Sequence, residues 1–198
     1  MTLEVYESLP EDLARRIEVV DGIAVVCHSP SEKHQAVQQA LLMALSEAAR
    51  KQGQGQGQGT CHRVRHELDV LLTEVPLNFR TPDVAVFRCL DDEQRGRWKG
   101  RPRASDNLIV VEIVSPGSRA VDTLVKRTQY ARSGIEHYWI VRLAGDNGPA
   151  NSVERLRLIS DGTYATEQVT FRKKDLLAID TLDPFEVTVS WEQLDEWL

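Results

Sequence analysis

Two acidic residues stand beside apolar runs, where a carboxylate is costly unless something pairs with it. Asp83 precedes the apolar run Val84–Phe87, and Glu112 interrupts the apolar run Leu108–Val114. An unpaired buried charge is strongly unfavourable, so each acid needs a counter-ion or a metal. Carboxylates are the ligands that Mg²⁺ prefers, and bound Mg²⁺ activates water and neutralises phosphate charge. We therefore predict that both acids hold Mg²⁺ or Mn²⁺, with the Ile113 carbonyl as a third ligand.

A cation beside these acids would stabilise the negative charge that develops during phosphodiester hydrolysis. Lys126, in the helix predicted to follow the second apolar run, is the candidate for that role. A simpler interpretation pairs Lys126 with Asp122 on the helix surface, an arrangement worth only ~0.2–0.5 kcal/mol. The acids have simpler interpretations as well, since Asp83 could cap a turn and Glu112 could pair with a buried arginine.

Three accessory candidates complete the predicted site: Glu18, His34 and Asp122. Glu18 would be a third acid at the site, although a hairpin acid exposed to solvent explains it equally well. His34 lies on a predicted long helix, where histidine is more often a hydrogen-bonded packing residue than a metal ligand.

The stretch from residue 108 to residue 141 predicts a strand, a crossover helix and a second strand. The segments are strand 108–114, a turn at Ser115-Pro116-Gly117, helix 119–133 and strand 138–141. This order predicts two parallel strands covered by the helix between them. Gly134 is placed to end the helix. Its apolar face, which we expect to meet the sheet, consists of Val121, Leu124, Val125 and Thr128.

The chain before this unit predicts a hairpin, a long helix and two strands. Asp21-Gly22 is a strong hairpin turn, and Ser29-Pro30 is typical of a helix start. The Gly-Gln repeat lacks apolar groups to bury and predicts a flexible loop. In order, the predictions are helix 2–9, strands 16–20 and 23–27, helix 29–50, loop 51–60, and strands 64–72 and 81–87.

The chain after this unit is predicted to be mainly β-structure. Alternating apolar and polar residues favour strands, and Ser160-Asp161-Gly162 is typical of a turn. The predicted elements are strands 153–159 and 164–170, an edge strand at 185–189 and a short helix at 191–198.

A basic cluster stands out between Asp91 and Asp106 in a chain whose net charge is −6. Cations alternate with other residues around Trp98, as they do in segments that contact nucleic-acid phosphates. A solvated loop without ligands explains the pattern equally well. The predicted nucleic-acid-binding residues are Arg95, Arg97, Lys99, Arg101 and Arg103.

Composition limits the class of protein. A chain of 198 residues, 41% hydrophobic and 27% charged, fits a single globular domain. The acidic balance weighs against a broad nucleic-acid-coating surface. Three cysteines without metal-site spacing indicate a reducing cytoplasm. No apolar run approaches the length that crosses a membrane, so no membrane association is expected.

Three segments in a fixed order carry a resemblance to a known family: TPDVAVF, LIVVEIVSPGS and DTLVKRTQYARSGIEHYW. Together with RIEVVDG and the helix carrying His34, they resemble the Uma-type family of restriction endonucleases, in the PD-(D/E)XK nuclease superfamily. That superfamily usually has a lysine two residues after the second acid, where this chain has Val114. The resemblance implies that Lys126 replaces it.

The resemblance also implies the fold. We expect an α/β restriction-endonuclease-like fold, with a mixed β-sheet flanked by helices, an N-terminal β-hairpin and a C-terminal β extension. The expected single domain spans 1–198, with a nuclease core at 28–143, a hairpin extension at 1–27 and C-terminal strands and helix at 144–198.

Two functional hypotheses follow. The first is a Mg²⁺- or Mn²⁺-dependent DNA endonuclease of the cytoplasm, acting as a homodimer because cutting both strands calls for two sites. The second is an inactive nuclease-fold protein that binds nucleic acid or a protein partner. The paired acids favour the first hypothesis, whereas the acidic charge and Val114 favour the second.

Overall fold

The structure is a computed structural model that describes residues 1–27, 29–55, 61–93, 98–115, 120–145 and 147–196. Its helices are α1 (Leu3–Glu7), α2 (Glu11–Ala14), α3 (Glu32–Gly55), α4 (Ala120–Arg132) and α5 (Trp191–Asp195). Its strands are β1 (Ile17–Val20), β2 (Ile23–Val26), β3 (His62–His66), β4 (Val70–Thr73), β5 (Asn78–Arg80), β6 (Val84–Arg88), β7 (Asn107–Val114), β8 (His137–Leu143), β9 (Ala150–Leu158), β10 (Tyr164–Phe171), β11 (Leu177–Thr181) and β12 (Val187–Ser190).

The large sheet has the strand order β10-β9-β8-β7-β6-β3. Its two central strands, β7 and β8, run parallel, and Glu112 lies opposite Ile140. The other pairs are antiparallel. α4 connects the parallel pair and ends before Gly134, whose φ of 80° is the left-handed conformation that glycine adopts readily. The predicted strand, helix and strand are confirmed, and so is the mixed α/β sheet.

A second sheet has the order β2-β1-β5-β4. Its hairpin turns at Asp21 and Gly22, where both φ angles are positive, as a tight two-residue turn requires. Sequence analysis missed β5, which pairs with β1 through Val19 and Phe79. This sheet encloses a small apolar cluster that consists of Tyr6, Val19, Leu71, Leu77, Phe79 and Trp98.

The single strand predicted at 64–72 is wrong, because the chain changes sheets within it. β3 pairs with β6 in the large sheet, whereas β4 pairs with β5 in the second sheet. Glu67, between them, has a φ of 48°. The apolar residues Val64, Leu68, Val70 and Leu72 recur at even spacings across both halves, so side-chain periodicity alone does not reveal the change of sheet.

α3 packs against the large sheet through Val37, Leu41 and Leu45, all fully buried. Its cap is Ser31, whose hydroxyl accepts from the His34 amide at 3.3 Å, so the helix starts later than the Ser29-Pro30 pattern predicts. The helix also continues past Arg50 to Gly55. The rest of the predicted flexible loop, 56–60, lies outside the described residues.

α4 meets the sheet with a different face from the predicted one. Leu124 is 64% exposed, and Val125 and Thr128 are exposed as well, so the predicted buried face is wrong. Tyr130 is fully buried and Lys126 is half-buried. These two residues are four positions apart and share one helix face. The sequence did not reveal the sheet-facing side of the helix, because that side carries the polar groups of Lys126 and Tyr130, which contact the buried Glu112.

The C-terminal segment adds a two-stranded sheet of β11 and β12. The edge strand predicted at 185–189 pairs with β11, a strand that sequence analysis missed. α5 follows directly and confirms the predicted C-terminal helix. None of the helices in the described part of the chain has both the length and the apolar character that crossing a membrane demands.

A disulfide joins Cys61 to Cys89, whose Cα atoms are 5.3 Å apart, while Cys27 is free and exposed. The scattered cysteines predict reduced thiols, so this bond departs from the prediction. The partners meet only because β3 and β6 pair in the sheet, a contact that spans 28 residues of sequence.

Candidate active site

Asp83 and Glu112 are brought together by the antiparallel pairing of β6 and β7. In this ladder Val84 lies opposite Val111, so the start of β6 is level with the end of β7. Asp83 immediately precedes β6, and Glu112 is two residues from the end of β7. The structure therefore places the two predicted acids at one end of the large sheet.

The Asp83 carboxylate is held from two sides. Its Oδ2 accepts from the Ile113 amide at 2.6 Å, and its Oδ1 lies 2.8 Å from His34 Nε2. Gln38 donates its side-chain amide to the Asp83 carbonyl at 3.0 Å. These contacts come from α3 and β7, so Asp83 is fixed by tertiary structure rather than by a local turn.

His34 faces Asp83 from the first turn of α3. Burial lowers the pKa of His34, but the hydrogen bond and the charge of Asp83 outweigh burial and raise the pKa above its ordinary value. Glu112 and Glu67 raise this pKa further. The acids therefore favour the imidazolium form of His34, which orients the Asp83 carboxylate.

Glu112 is buried, with an exposure of 6%, and both of its carboxylate oxygens have partners. Oε1 accepts from the Tyr130 hydroxyl at 2.7 Å, and Oε2 lies 2.8 Å from Lys126 Nζ. The pKa of Glu112 is raised to about 7, chiefly by burial; Lys126 lowers it, whereas Asp83 and Glu18 raise it. The cationic partner of Glu112 is thus a lysine and not an arginine.

Glu18 is also buried and lies beside this pair. Its Oε2 accepts from Arg80 at 2.6 Å, and its Oε1 accepts from the Thr81 amide at 2.9 Å. Lys126 Nζ is 4.0 Å from Glu18 Oε1. Arg80 also donates to the Gln129 side chain on α4 at 2.8 Å. Glu18 therefore belongs to the same charged cluster and is not a solvent-exposed hairpin acid.

We expect Arg80→Met to lower the free energy of unfolding by ~3–5 kcal/mol, because Glu18 would be left as a buried carboxylate without this partner. Urea unfolding measures the change. The double variant Arg80→Met with Glu18→Gln removes both charges and should recover part of the loss. A single variant as stable as the wild type would show that Glu18 is solvated.

The donor set fits a hard divalent ion. In the described part of the chain, no three His, Cys, Asp or Glu side chains form a ready-made metal cluster. Mg²⁺ needs no such cluster, because proteins often hold it with one or two carboxylates while water and substrate phosphates complete its coordination. Asp83 and Glu112 are the predicted pair, and their role as metal ligands stays a prediction. The Ile113 amide, rather than its carbonyl, contacts Asp83, and the carbonyl's role as a third ligand stays a prediction.

The described cations of the basic cluster all face carboxylates. Lys99 lies 3.6 Å from Glu7, and Arg103 pairs with Glu74. Arg101 lies 3.2 Å from Asp69 and 4.9 Å from the centre of the buried Trp98 ring. Arg95, Arg97 and the side chain of Asp122 lie outside the described residues. Phosphate binding by this cluster stays a prediction.

Sequence analysis missed three groups that hold the site: Gln38, Tyr130 and Arg80. Two of them carried a usable signal. Gln38 is four residues after His34, and Tyr130 is four residues after Lys126, so each shares a helix face with a site candidate. Arg80 gave no such signal, because its contact with Glu18 exists only once β1 and β5 have paired.

Comparison with known proteins defines the class. A crystal structure of a protein from Anabaena variabilis, described as a putative nuclease belonging to DUF820, matches with a TM-score of 0.69 and 18% identity. The match covers 100% of this chain and 98% of that one, and it shows a shared fold. The model of the Uma2 family, described as "Putative restriction endonuclease", matches residues 3–190, so the chain belongs to that family. Among curated proteins, none matches the sequence.

Proposed function

We propose that this protein is a divalent-metal-dependent endonuclease that hydrolyses phosphodiester bonds in DNA. The observation that carries the proposal is the 2.8 Å contact of Lys126 with Glu112, at the sheet end where Asp83 also lies. Two acids and a lysine are the groups that such hydrolysis needs. Membership of the Uma2 family supports the same reaction class.

Asp83 and Glu112 would hold the metal, which when bound lowers the pKa of water and neutralises phosphate charge. The surrounding residues affect the two carboxylates differently: they orient Asp83 and they raise the pKa of Glu112. The Ile113 amide and His34 fix the direction of the Asp83 carboxylate. The pKa of Glu112 is raised to about 7 by burial even with Lys126 beside it, so a bound divalent cation would favour its ionised form further.

Lys126 would supply the fixed positive charge at this site. Its ammonium lies between Glu112 and Glu18, at 2.8 Å and 4.0 Å. Lys126 extends from α4 to Glu112, near the end of β7. Val114, two residues after Glu112 on the same strand, is the position where the superfamily usually has its lysine. An ammonium held beside Glu112 would stabilise the negative charge that develops on a phosphate during attack.

We expect the purified protein to nick or linearise supercoiled plasmid DNA with Mg²⁺ or Mn²⁺ and to stop when EDTA removes the metal. Gel electrophoresis of the products measures this. RNA of matched length and single-stranded DNA, run in parallel, define the substrate class. The proposal fails if neither metal supports cleavage of DNA by a folded protein, and cleavage of RNA alone would replace the proposed substrate class.

The non-cutting alternative has one specific observation in its favour, which is Val114 in place of the usual lysine. The same assay separates the two functions, because binding of DNA without cleavage would favour the alternative. If cleavage of both strands occurs, two sites are needed, which favours a homodimer.

A further inference from the structure

A groove at the outer edge of the large sheet carries two arginines that face no carboxylate among the described residues. β3 is the edge strand, and Arg63 and Arg65 are both exposed on it. Within the described part of the chain neither arginine forms an ion pair, and Arg65 makes one hydrogen bond, to the Val64 carbonyl at 2.8 Å. A cavity of about 310 Å³ lies beneath them, lined by Arg63, Arg65, Leu68, Phe87, Leu90 and Gly100.

This groove lies on the same face of the sheet as Glu112. Arg65 pairs with Ala85, and Ala85 pairs with Val110, so the three residues lie level across three strands. Residues directly opposite each other in a ladder point to the same face, and so do residues two apart on one strand. Glu112, two residues beyond Val110, therefore shares the face of Arg65. The spacings of strands and residues place their Cα atoms ~12 Å apart.

The groove has both components of a backbone-binding surface. Arg63 and Arg65 are ~6.7 Å apart along the strand, comparable with the spacing of neighbouring phosphates on one nucleic-acid strand. Arginine is well suited to phosphates because its planar guanidinium can donate two parallel hydrogen bonds. The apolar floor, formed by Leu68, Phe87 and Leu90, offers contact to a sugar or a base edge.

The basic cluster is a weaker candidate for the same task. Lys99, Arg101 and Arg103 each face a carboxylate, which a phosphate would have to displace. Arg63 and Arg65 require no such exchange with a described residue. The chain has a net charge of −6, so it repels a polyanion such as DNA. Arg63 and Arg65, which lie near Asp83 and Glu112, can offset that repulsion locally.

We propose that this groove binds the phosphate backbone of one strand of the DNA substrate, with Arg63 and Arg65 as the contacting residues. The inference rests on the proposed function, because it assigns the path by which the substrate approaches Asp83 and Glu112. A strand held at Arg65 lies within a few nucleotides of the acids, given the ~12 Å separation of Arg65 and Glu112. The groove thus positions the backbone and does not read sequence.

The test is the salt dependence of DNA binding for the variant Arg63→Gln with Arg65→Gln. Fluorescence anisotropy with a short labelled duplex is measured over a series of salt concentrations, at a fixed concentration of Ca²⁺, which takes similar oxygen ligands. Each lost phosphate contact flattens the slope of log K against log salt by ~0.9, so the variant should be flatter than wild type by ~1.8. Both arginines are exposed, and circular dichroism verifies that the variant is folded.

The competing assignment is tested with Lys99→Gln combined with Arg103→Gln, which removes the same charge from the basic cluster. If the groove binds the backbone, this variant keeps the wild-type slope. An unchanged slope in the Arg63 and Arg65 variant overturns the inference, and a flattened slope in the Lys99 and Arg103 variant alone would assign the contact to the basic cluster. These outcomes are independent of cleavage: a wild type that binds with the expected slope and never cuts would refute the nuclease proposal and leave the groove in place.

Discussion

Asp83→Asn is expected to abolish cleavage and to weaken Mg²⁺ or Mn²⁺ binding by at least ~100-fold, since even changes in groups behind the ligands cost ~10–100-fold. The substitution removes the negative charge of Asp83 and leaves its size almost unchanged. Asparagine retains an oxygen that can accept from the Ile113 amide, which lies 2.6 Å from the Asp83 carboxylate, so we expect the fold to persist. Titration calorimetry measures the metal affinity, and plasmid cleavage measures the activity.

The same variant has a second readout that does not depend on activity. Burial lowers the pKa of His34, and Asp83 is the main group that raises it again. Asp83→Asn should therefore lower the His34 pKa, which NMR titration of the imidazole measures. Glu186→Gln, at an exposed acid just before β12, is the charge-matched control and should change neither quantity. Equal divalent binding by wild type and Asp83→Asn would contradict the metal assignment.

The main features of this site could be predicted from the sequence, because a buried charge is unfavourable unless it is paired. Glu112 requires a partner simply because it interrupts an apolar strand. The order of β7, α4 and β8 also follows from sequence, since apolar runs joined by a helix predict parallel strands. The rise per residue of strand and helix puts Lys126 roughly level with Glu112 along the sheet. It does not fix which helix face meets the sheet, so the 2.8 Å contact comes from the structure.

Other features depend on contacts that no local pattern encodes. The face of α4 was misjudged because Leu124 and Val125 look like a buried pair, whereas the face of Lys126 and Tyr130 meets the sheet. Burial of Glu18 depends on Arg80, which lies 62 residues later in the sequence and is positioned by β5. The pairing of Lys99, Arg101 and Arg103 with acids from other segments was equally invisible in the sequence, because it exists only in the folded chain.

Lys126→Ala is expected to reduce the rate of metal-dependent cleavage by ~10²–10³-fold, the usual cost of removing one group that stabilises transition-state charge. The loss should appear in kcat, because the ammonium acts on charge that develops during the reaction. Lys126→Arg keeps the positive charge and is the matched control. We expect it to retain more activity than alanine, although the bulkier guanidinium must fit the half-buried position of the lysine.

The alanine variant also has a predictable effect on metal binding. Lys126 lowers the pKa of Glu112, which burial raises to about 7. Without the ammonium this pKa rises further, so Glu112 holds its proton to higher pH. A divalent ion needs the ionised carboxylate, and its binding should therefore shift to higher pH in Lys126→Ala. Calorimetric titrations at several pH values measure the shift.

A lysine introduced at position 114 of β7 tests whether the reaction needs a positive charge at this place or Lys126 on α4 in particular. Val114 lies two residues after Glu112 on β7, so both side chains point to the same face of the sheet. Val114 is half-buried and borders a cavity, which leaves room for a longer side chain. Lys126→Ala combined with Val114→Lys should regain part of the lost activity if the reaction needs an ammonium rather than this particular helix residue. Cleavage by Lys126→Ala at the wild-type rate would show instead that Lys126 only neutralises the buried Glu112.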